Sequence, residues 1–145
     1  MTGGGVADAD AEDAVVGAAS GRPVVDGEPV LGGEGVAVES STRGKDIYAG
    51  ACAGCHGWTG ESPLASQATL VGGRAINDPT AKNVALIVLH GSEFAPSDGS
   101  IAMPAFGAAY SDREVAAVTN YVTARFGAKA SAVTPEEVAK MRAMQ

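Results

Sequence analysis

Cys52-Ala53-Gly54-Cys55-His56 uses both cysteines of this 145-residue chain, and one of its two histidines, in consecutive positions. C-x-x-C-H is the attachment signature of a c-type haem. Each thiol adds across a vinyl group of the ring to form a thioether. The histidine that follows lies against the ring and offers Nε2 to the iron. A large flat apolar group held in this way becomes part of the hydrophobic core, so the fold must be built around it. The expected cofactor is one covalent haem c with its iron, held by Cys52, Cys55 and His56.

Other chemistries use similar residues. A thioredoxin-like dithiol also reads C-x-x-C, but it needs a preceding strand in a βαβ setting, whereas residues 43–51 read as a short helix. A structural zinc site needs four tetrahedral ligands; the cysteines and histidines here are Cys52, Cys55, His56 and His90, with His56 directly against Cys55. A plain buried cysteine pair or a disulfide would leave the adjacent histidine without a purpose.

The length suits one small domain. Aromatic residues make up only 5% of the chain although hydrophobic content reaches 46%, a shortfall that an apolar cofactor would fill. Ten Lys and Arg against seventeen Asp and Glu give a net charge of −7. That balance argues against nucleic acid as a partner and favours a redox protein with a basic docking patch, recruited by electrostatic steering. No apolar run is long enough to span a membrane. The residues after Met1 show neither a basic n-region nor an apolar h-region. Since covalent haem attachment takes place outside the cytoplasm, this start reads as a mature or expression product, or as a domain of a longer chain.

Along the chain, residues 1–40 read as a flexible or extended N-terminal arm. Positions 1–21 are rich in Gly, Ala and Asp, and Val24-Val25-Asp26-Gly27-Glu28-Pro29-Val30 reads as either an irregular hairpin or an extended arm. The haem domain is expected over 41–145, with its core at 42–127. Ser41 or Thr42 is expected to cap a first helix running to about Ala51. Residues 57–78 read as loop. Asp78 and Pro79 are expected to open another helix carrying Val84, Leu86, Ile87 and Leu89 and stopped by Gly91. Residues 92–110 read as loop. Ser111-Asp112-Arg113-Glu114 is a capping box before Val115, Val118, Tyr121, Val122 and Phe126, with a stop at Gly127. Thr134-Pro135-Glu136-Glu137 is a second capping box, opening a short helix at 134–143 with Val138 and Met141 on one side. The fold class read from this pattern is all-α.

A sixth iron ligand separates an electron carrier from a haem enzyme or gas binder. Met103, in Ile101-Ala102-Met103-Pro104-Ala105-Phe106-Gly107, is the expected ligand: it lies between helices, and Pro104 stiffens its approach. Its competing role is core filler, the usual place of methionine. Met1 lies in the arm, and Met141 and Met144 lie in the last helix. His90 ends a helix, where a histidine commonly meets the dipole or caps the last turn.

With these residues in view, the chain resembles a class I cytochrome c. It is most similar to haem domains in the cytochrome subunits of bacterial membrane-bound dehydrogenases acting on alcohols or sugars. The resemblance covers about residues 42–127 and rests on Gly44-Lys45-Asp46-Ile47-Tyr48, Cys52-Ala53-Gly54-Cys55-His56-Gly57, Ile87-Val88-Leu89-His90-Gly91, Met103-Pro104-Ala105-Phe106, and Tyr110-Ser111-Asp112-Arg113-Glu114 leading to Asn120-Tyr121-Val122. It implies a cytochrome c fold, with helices around one covalent haem. It also implies a close crossing of the first and last main helices at Gly44, Tyr48 and Tyr121. A hydrogen bond from His56 Nδ1 to the Pro63 carbonyl and a haem propionate on Arg74 follow from it as well, and His90 becomes structural. The function implied is single-electron transfer between a dehydrogenase or other redox partner and a respiratory acceptor, with no catalysis by this chain, at the periplasmic side of a bacterial membrane. Ala53, Gly54, Ala102 and Pro104 are expected to border the exposed haem edge. The competing functions are a peroxidase-like enzyme or gas binder with a labile sixth ligand, and a structural haem domain of a larger complex.

Overall fold

Glu39 and Arg43 stand one helical turn apart and pair at 3.0 Å on helix α1 (Gly33–Ile47). An i,i+4 pair of this kind supports a helix by a few tenths of a kcal/mol. The computed structural model describes residues 33–94 and 101–144, so the readings made for residues 1–32 lie outside the described residues. The helix begins well before Ser41 and Thr42, which are exposed within α1 and cap nothing. A boundary at residue 41 therefore falls inside a helix.

Past Ile47 the helical path widens into a π-type segment, Tyr48–Cys52, before tightening into the short α2 (Ala53–His56). The cysteine–histidine motif thus sits where the backbone changes its winding. Insertions of this kind are found mostly at functional sites. Residues 57–81 wander, with one 3₁₀ turn at Ser66–Ala68.

Helix α3 (Lys82–His90) starts later than Asp78 and Pro79 suggest. The Asp78 carboxylate instead closes a local turn. Its Oδ1 accepts from the Thr80 N–H at 3.0 Å and the Thr80 hydroxyl at 2.9 Å, and its Oδ2 accepts from the Asn83 N–H at 3.3 Å. These donors hold its carboxyl below the usual aspartate range. The helix proper is entered through Ala81, which is fully buried in a left-handed conformation at φ 52°. Gly91 ends α3 as expected, its N–H donating to Ile87 O at 2.8 Å.

The stretch read as loop after α3 contains a small antiparallel ribbon. Strands β1 (Ser92–Phe94) and β2 (Ile101–Met103) pair with Ser92 opposite Met103 and Glu93 opposite Ala102. Three-residue strands carry no periodicity to read. Apart from this ribbon the described residues are helical or irregular, in agreement with the all-α class.

Helix α4 (Asp112–Phe126) is capped as its sequence predicts. The Ser111 hydroxyl accepts from the Glu114 N–H at 3.4 Å, and Glu114 Oε2 accepts from the Ser111 N–H at 2.8 Å. The same box recurs at Thr134 and Glu137 before α5 (Pro135–Arg142). Packing centres on α4, which meets α1, α3 and α5. Val115, Ala116, Ala117, Val118, Thr119, Val122 and Thr123 are all buried along it. The α1–α4 crossing occurs at Gly44, where a Cβ would lie 2.3 Å from Ala117 O and 2.8 Å from Tyr121 Cβ. Just beyond, the Tyr48 ring packs against Tyr121 and Phe126 with centroids 5.6 and 5.2 Å away. The crossing implied by the resemblance is therefore present, with Gly44 as its point of contact.

Candidate functional site

A cavity of about 380 Å³ opens beside α2. Cys52, Cys55 and His56 line it together with Arg74 and Met103, so five of the six expected site residues meet there. The remaining surface is mostly apolar and includes Leu70, Ile76, Val84, Val88, Val118 and Val122. The π segment and α2 supply the motif, the 57–81 loop supplies one wall, and the end of β2 brings Met103. The two helices most fully buried in the core, α3 and α4, complete the lining.

The two thiols are free, with Cys52 half-buried and Cys55 exposed. Burial, and then the charge of Cys55, pushes the Cys52 thiol up to about 11, so it is protonated at neutral pH. Tyr48 borders the same cavity and donates from its hydroxyl to Gly57 O at 2.5 Å. Burial, with smaller contributions from Cys52 and Tyr121, raises this phenol to about 12, and it remains a donor across the physiological range. The bond pins the residue that follows His56 to the core.

His56 Nδ1 lies 2.6 Å from the Ala68 carbonyl oxygen. A carbonyl only accepts, so the proton sits on Nδ1 and the Nε2 lone pair is left free for a metal. A bond of this type also fixes the plane of the ring. The acceptor is Ala68 and not Pro63, which is exposed and does not line the cavity. The correction has a local cause. Ser62 donates from Oγ to Cys55 O at 2.6 Å and accepts from the Leu64 and Ala65 N–H groups at 3.2 Å each. This turn holds Pro63 outward and leads the chain back so that the 3₁₀ turn at Ser66–Ala68 passes His56. No side-chain signal marks Ala68, since only its carbonyl takes part. The Ser62 hub, by contrast, follows from the affinity of serine for turn N–H groups.

Arg74 is exposed and lines the cavity. Trp58, directly after the motif, is 65% exposed and outside the cavity lining. His90 is also outside it, and Met141 is buried in the core. Of the four residues expected at an exposed edge, Ala102 and Pro104 are exposed and line the cavity. Gly54 is exposed but not in the lining, and Ala53 is buried in the core, because it begins α2 on its inner side. Among the described residues no three His, Cys, Asp or Glu side chains converge as a zinc site would require.

The cavity fits a haem on its own chemistry. It offers two free thiols, an imidazole with an available nitrogen, a thioether, a peripheral cation and an apolar lining. Among the described residues no helix is long and apolar enough to cross a membrane.

The family described as cytochrome c oxidase, cbb3-type, subunit III matches residues 39–122. The cytochrome c subunit of gluconate 2-dehydrogenase from Pantoea cypripedii is 35% identical over 111 residues, which cover 72% of this chain and 25% of that protein. The cytochrome c subunits of the quinone alcohol dehydrogenases of Gluconacetobacter polyoxogenes and Komagataeibacter europaeus are each 28% identical over 107 residues, covering 71% of this chain and 23% of theirs. The chain therefore spans about a quarter of the length of the curated relatives it matches.

Proposed function

This chain belongs to the c-type cytochrome family described as cytochrome c oxidase, cbb3-type, subunit III, and we propose that within it the chain is a single-electron carrier with His56 and Met103 as axial iron ligands. Family membership brings a covalently bound haem c and a role in electron transfer, not in catalysis. When bound, the haem supplies a one-electron ferric/ferrous couple. Cys52 and Cys55 anchor its ring, His56 presents Nε2 in a fixed orientation, and Met103 offers its thioether from the end of β2. Arg74 is assigned to a propionate, and the apolar wall from α3 and α4 keeps water from the ring. Two protein ligands leave no site for a substrate, which sets this reading apart from a peroxidase or gas binder.

The observation that carries the proposal is the single cavity shared by His56, oriented by Ala68, and Met103. By analogy with its relatives, the chain passes electrons between a dehydrogenase and a respiratory acceptor at the periplasmic face of a bacterial membrane. Its charge of −7 suits a partner with a basic docking patch.

Met103 is tested by absorption spectroscopy of the ferric protein. A Met-ligated haem shows a weak far-red sulfur-to-iron charge-transfer band. Met103→Ala is expected to abolish this band, open the ferrous iron to carbon monoxide and lower the reduction potential, because a thioether favours ferrous iron. If the band survives in Met103→Ala but is lost in His90→Ala, the ligand assignment is overturned.

A further inference from the structure

Helix α5 lies outside the residues that match the family, 39–122, yet it reaches back into the segment that follows Met103. That segment is held on one side by α3. The Phe106 N–H donates to Val88 O at 2.9 Å and the Gly107 N–H to Leu89 O at 3.0 Å, so the loop takes up carbonyls that a helix end leaves open. Gly91, at φ 78°, lets the backbone of Met103 and Pro104 come so near that a Cβ there would lie 2.6 Å from Met103 O. On the other side stands Arg142. Its Nη1 donates to Gly107 O and its Nη2 to Tyr110 O at 2.9 Å, while its Nε pairs with the Asp112 carboxylate at 2.7 Å. One guanidinium thus grips two loop carbonyls and the first residue of α4. All three partners lie between Met103 and the body of α4, and the group is only about one-third exposed.

We infer that Arg142 is a positioning residue for Met103, setting how firmly the loop holds the thioether in the cavity. The inference rests on the reading of Met103 as an iron ligand. The planar fork of arginine satisfies two carbonyls and a carboxylate at once, which a lysine ammonium on a flexible stem does not do with the same geometry. With the grip removed, the segment after Met103 keeps its bonds to α3 and Met103 keeps its pairing with Ser92 on β1, but the tie to α4 and α5 is lost and Met103 is more easily displaced.

The test uses the full chain with haem attached and imidazole as a competing ligand for ferric iron. Hydrogen bonds to a charged group are among the stronger ones in a protein, so Arg142→Gln is expected to tighten imidazole binding about tenfold and to weaken the charge-transfer band. Arg142→Lys is expected to fall between Gln and the native residue, and it also serves if the Gln variant does not fold. In a Met103→Ala background imidazole affinity is expected to be high and independent of residue 142, an outcome that a general loss of stability does not produce. If Arg142→Gln and Arg142→Lys leave imidazole affinity unchanged while Met103→Ala raises it, the inference falls and the ligand reading stands. An equal gain from Arg142→Gln with and without Met103 also overturns it. If Met103→Ala leaves the charge-transfer band intact, the ligand reading falls and takes the inference with it.

Discussion

Gly44 is the residue on which the helix crossing depends. With a Cβ at this position the nearest atoms are backbone, Ala117 O at 2.3 Å and Ala117 C at 2.8 Å, and neither can rotate away. Two effects oppose each other in Gly44→Ala. The helix interior gains about 1 kcal/mol from the higher propensity of alanine. Forcing α1 and α4 apart disturbs the Tyr48, Tyr121 and Phe126 contacts, and overpacking of this kind costs about 1–3 kcal/mol or more. Because the clash is with backbone, the second effect wins. Gly44→Ala is expected to destabilise the haem-bound protein by about 1–2 kcal/mol in denaturant unfolding followed by far-UV circular dichroism. A neutral or stabilised variant would mean that the helices can separate at little cost. Ala68 shows the limit of reading at this scale. Its role lies in a carbonyl positioned by the Ser62 turn, and no residue type announces a carbonyl.

At the scale of elements, the capping box of α4 links sequence, geometry and pH. Hydrogen bonds from the Ser111 N–H and hydroxyl hold the Glu114 carboxyl below the usual glutamate range. A folded-state value below the unfolded one means that this contribution is complete above the ordinary glutamate range and lost as pH falls through the depressed value. Ser111→Ala removes the hydroxyl that accepts from the Glu114 N–H and donates to its carboxylate, and leaves the backbone N–H of residue 111 on Glu114 Oε2. It is expected to cost about 1 kcal/mol at neutral pH and to move the Glu114 titration back upward, as read by carboxyl NMR shifts. An unmoved titration would show that the backbone N–H alone sets the shift. Both capping boxes were legible because the residues that make them are consecutive and their bonds are local. The start of α3 was not. Asp78 caps as readily in a turn as at a helix, and here the Thr80 hydroxyl draws it into a turn while the chain enters α3 through a strained Ala81. The start of α1 was hidden for a related reason: exposed Ser41 and Thr42 are tolerated inside a helix that the Glu39–Arg43 pair supports. The β1–β2 ribbon is too short to leave a pattern in the sequence.

For the whole molecule, the cysteine–histidine motif and the low aromatic content point the same way, since the core is built with space in it. The site residues Cys52, Cys55, His56, Met103 and Arg74 could be picked out because each carries its chemistry in its side chain. The wall behind them, from Leu70 and Ile76 to Val118 and Val122, looked like ordinary core, and only the fold shows that it faces a cavity. A cavity of about 380 Å³ walled largely by apolar side chains is costly to leave without a filling group, because its lining loses packing partners and meets water instead. A domain of this kind has only about 5–15 kcal/mol of net stability, so the haem is as much a structural element as a redox group. The Cys52→Ala/Cys55→Ala double variant, washed free of haem, is therefore expected to lose its fixed side-chain packing. Helices capped by local bonds, α4 and α5 above all, should keep much of the far-UV signal, while the near-UV signal collapses and the apolar wall binds a hydrophobic dye. The opposite result, a cooperative thermal transition with native near-UV signal in the haem-free variant, would mean that α3 and α4 close over the space unaided. The cavity would then be a mobile cleft, and the stability attributed to the cofactor would have to come from protein contacts alone.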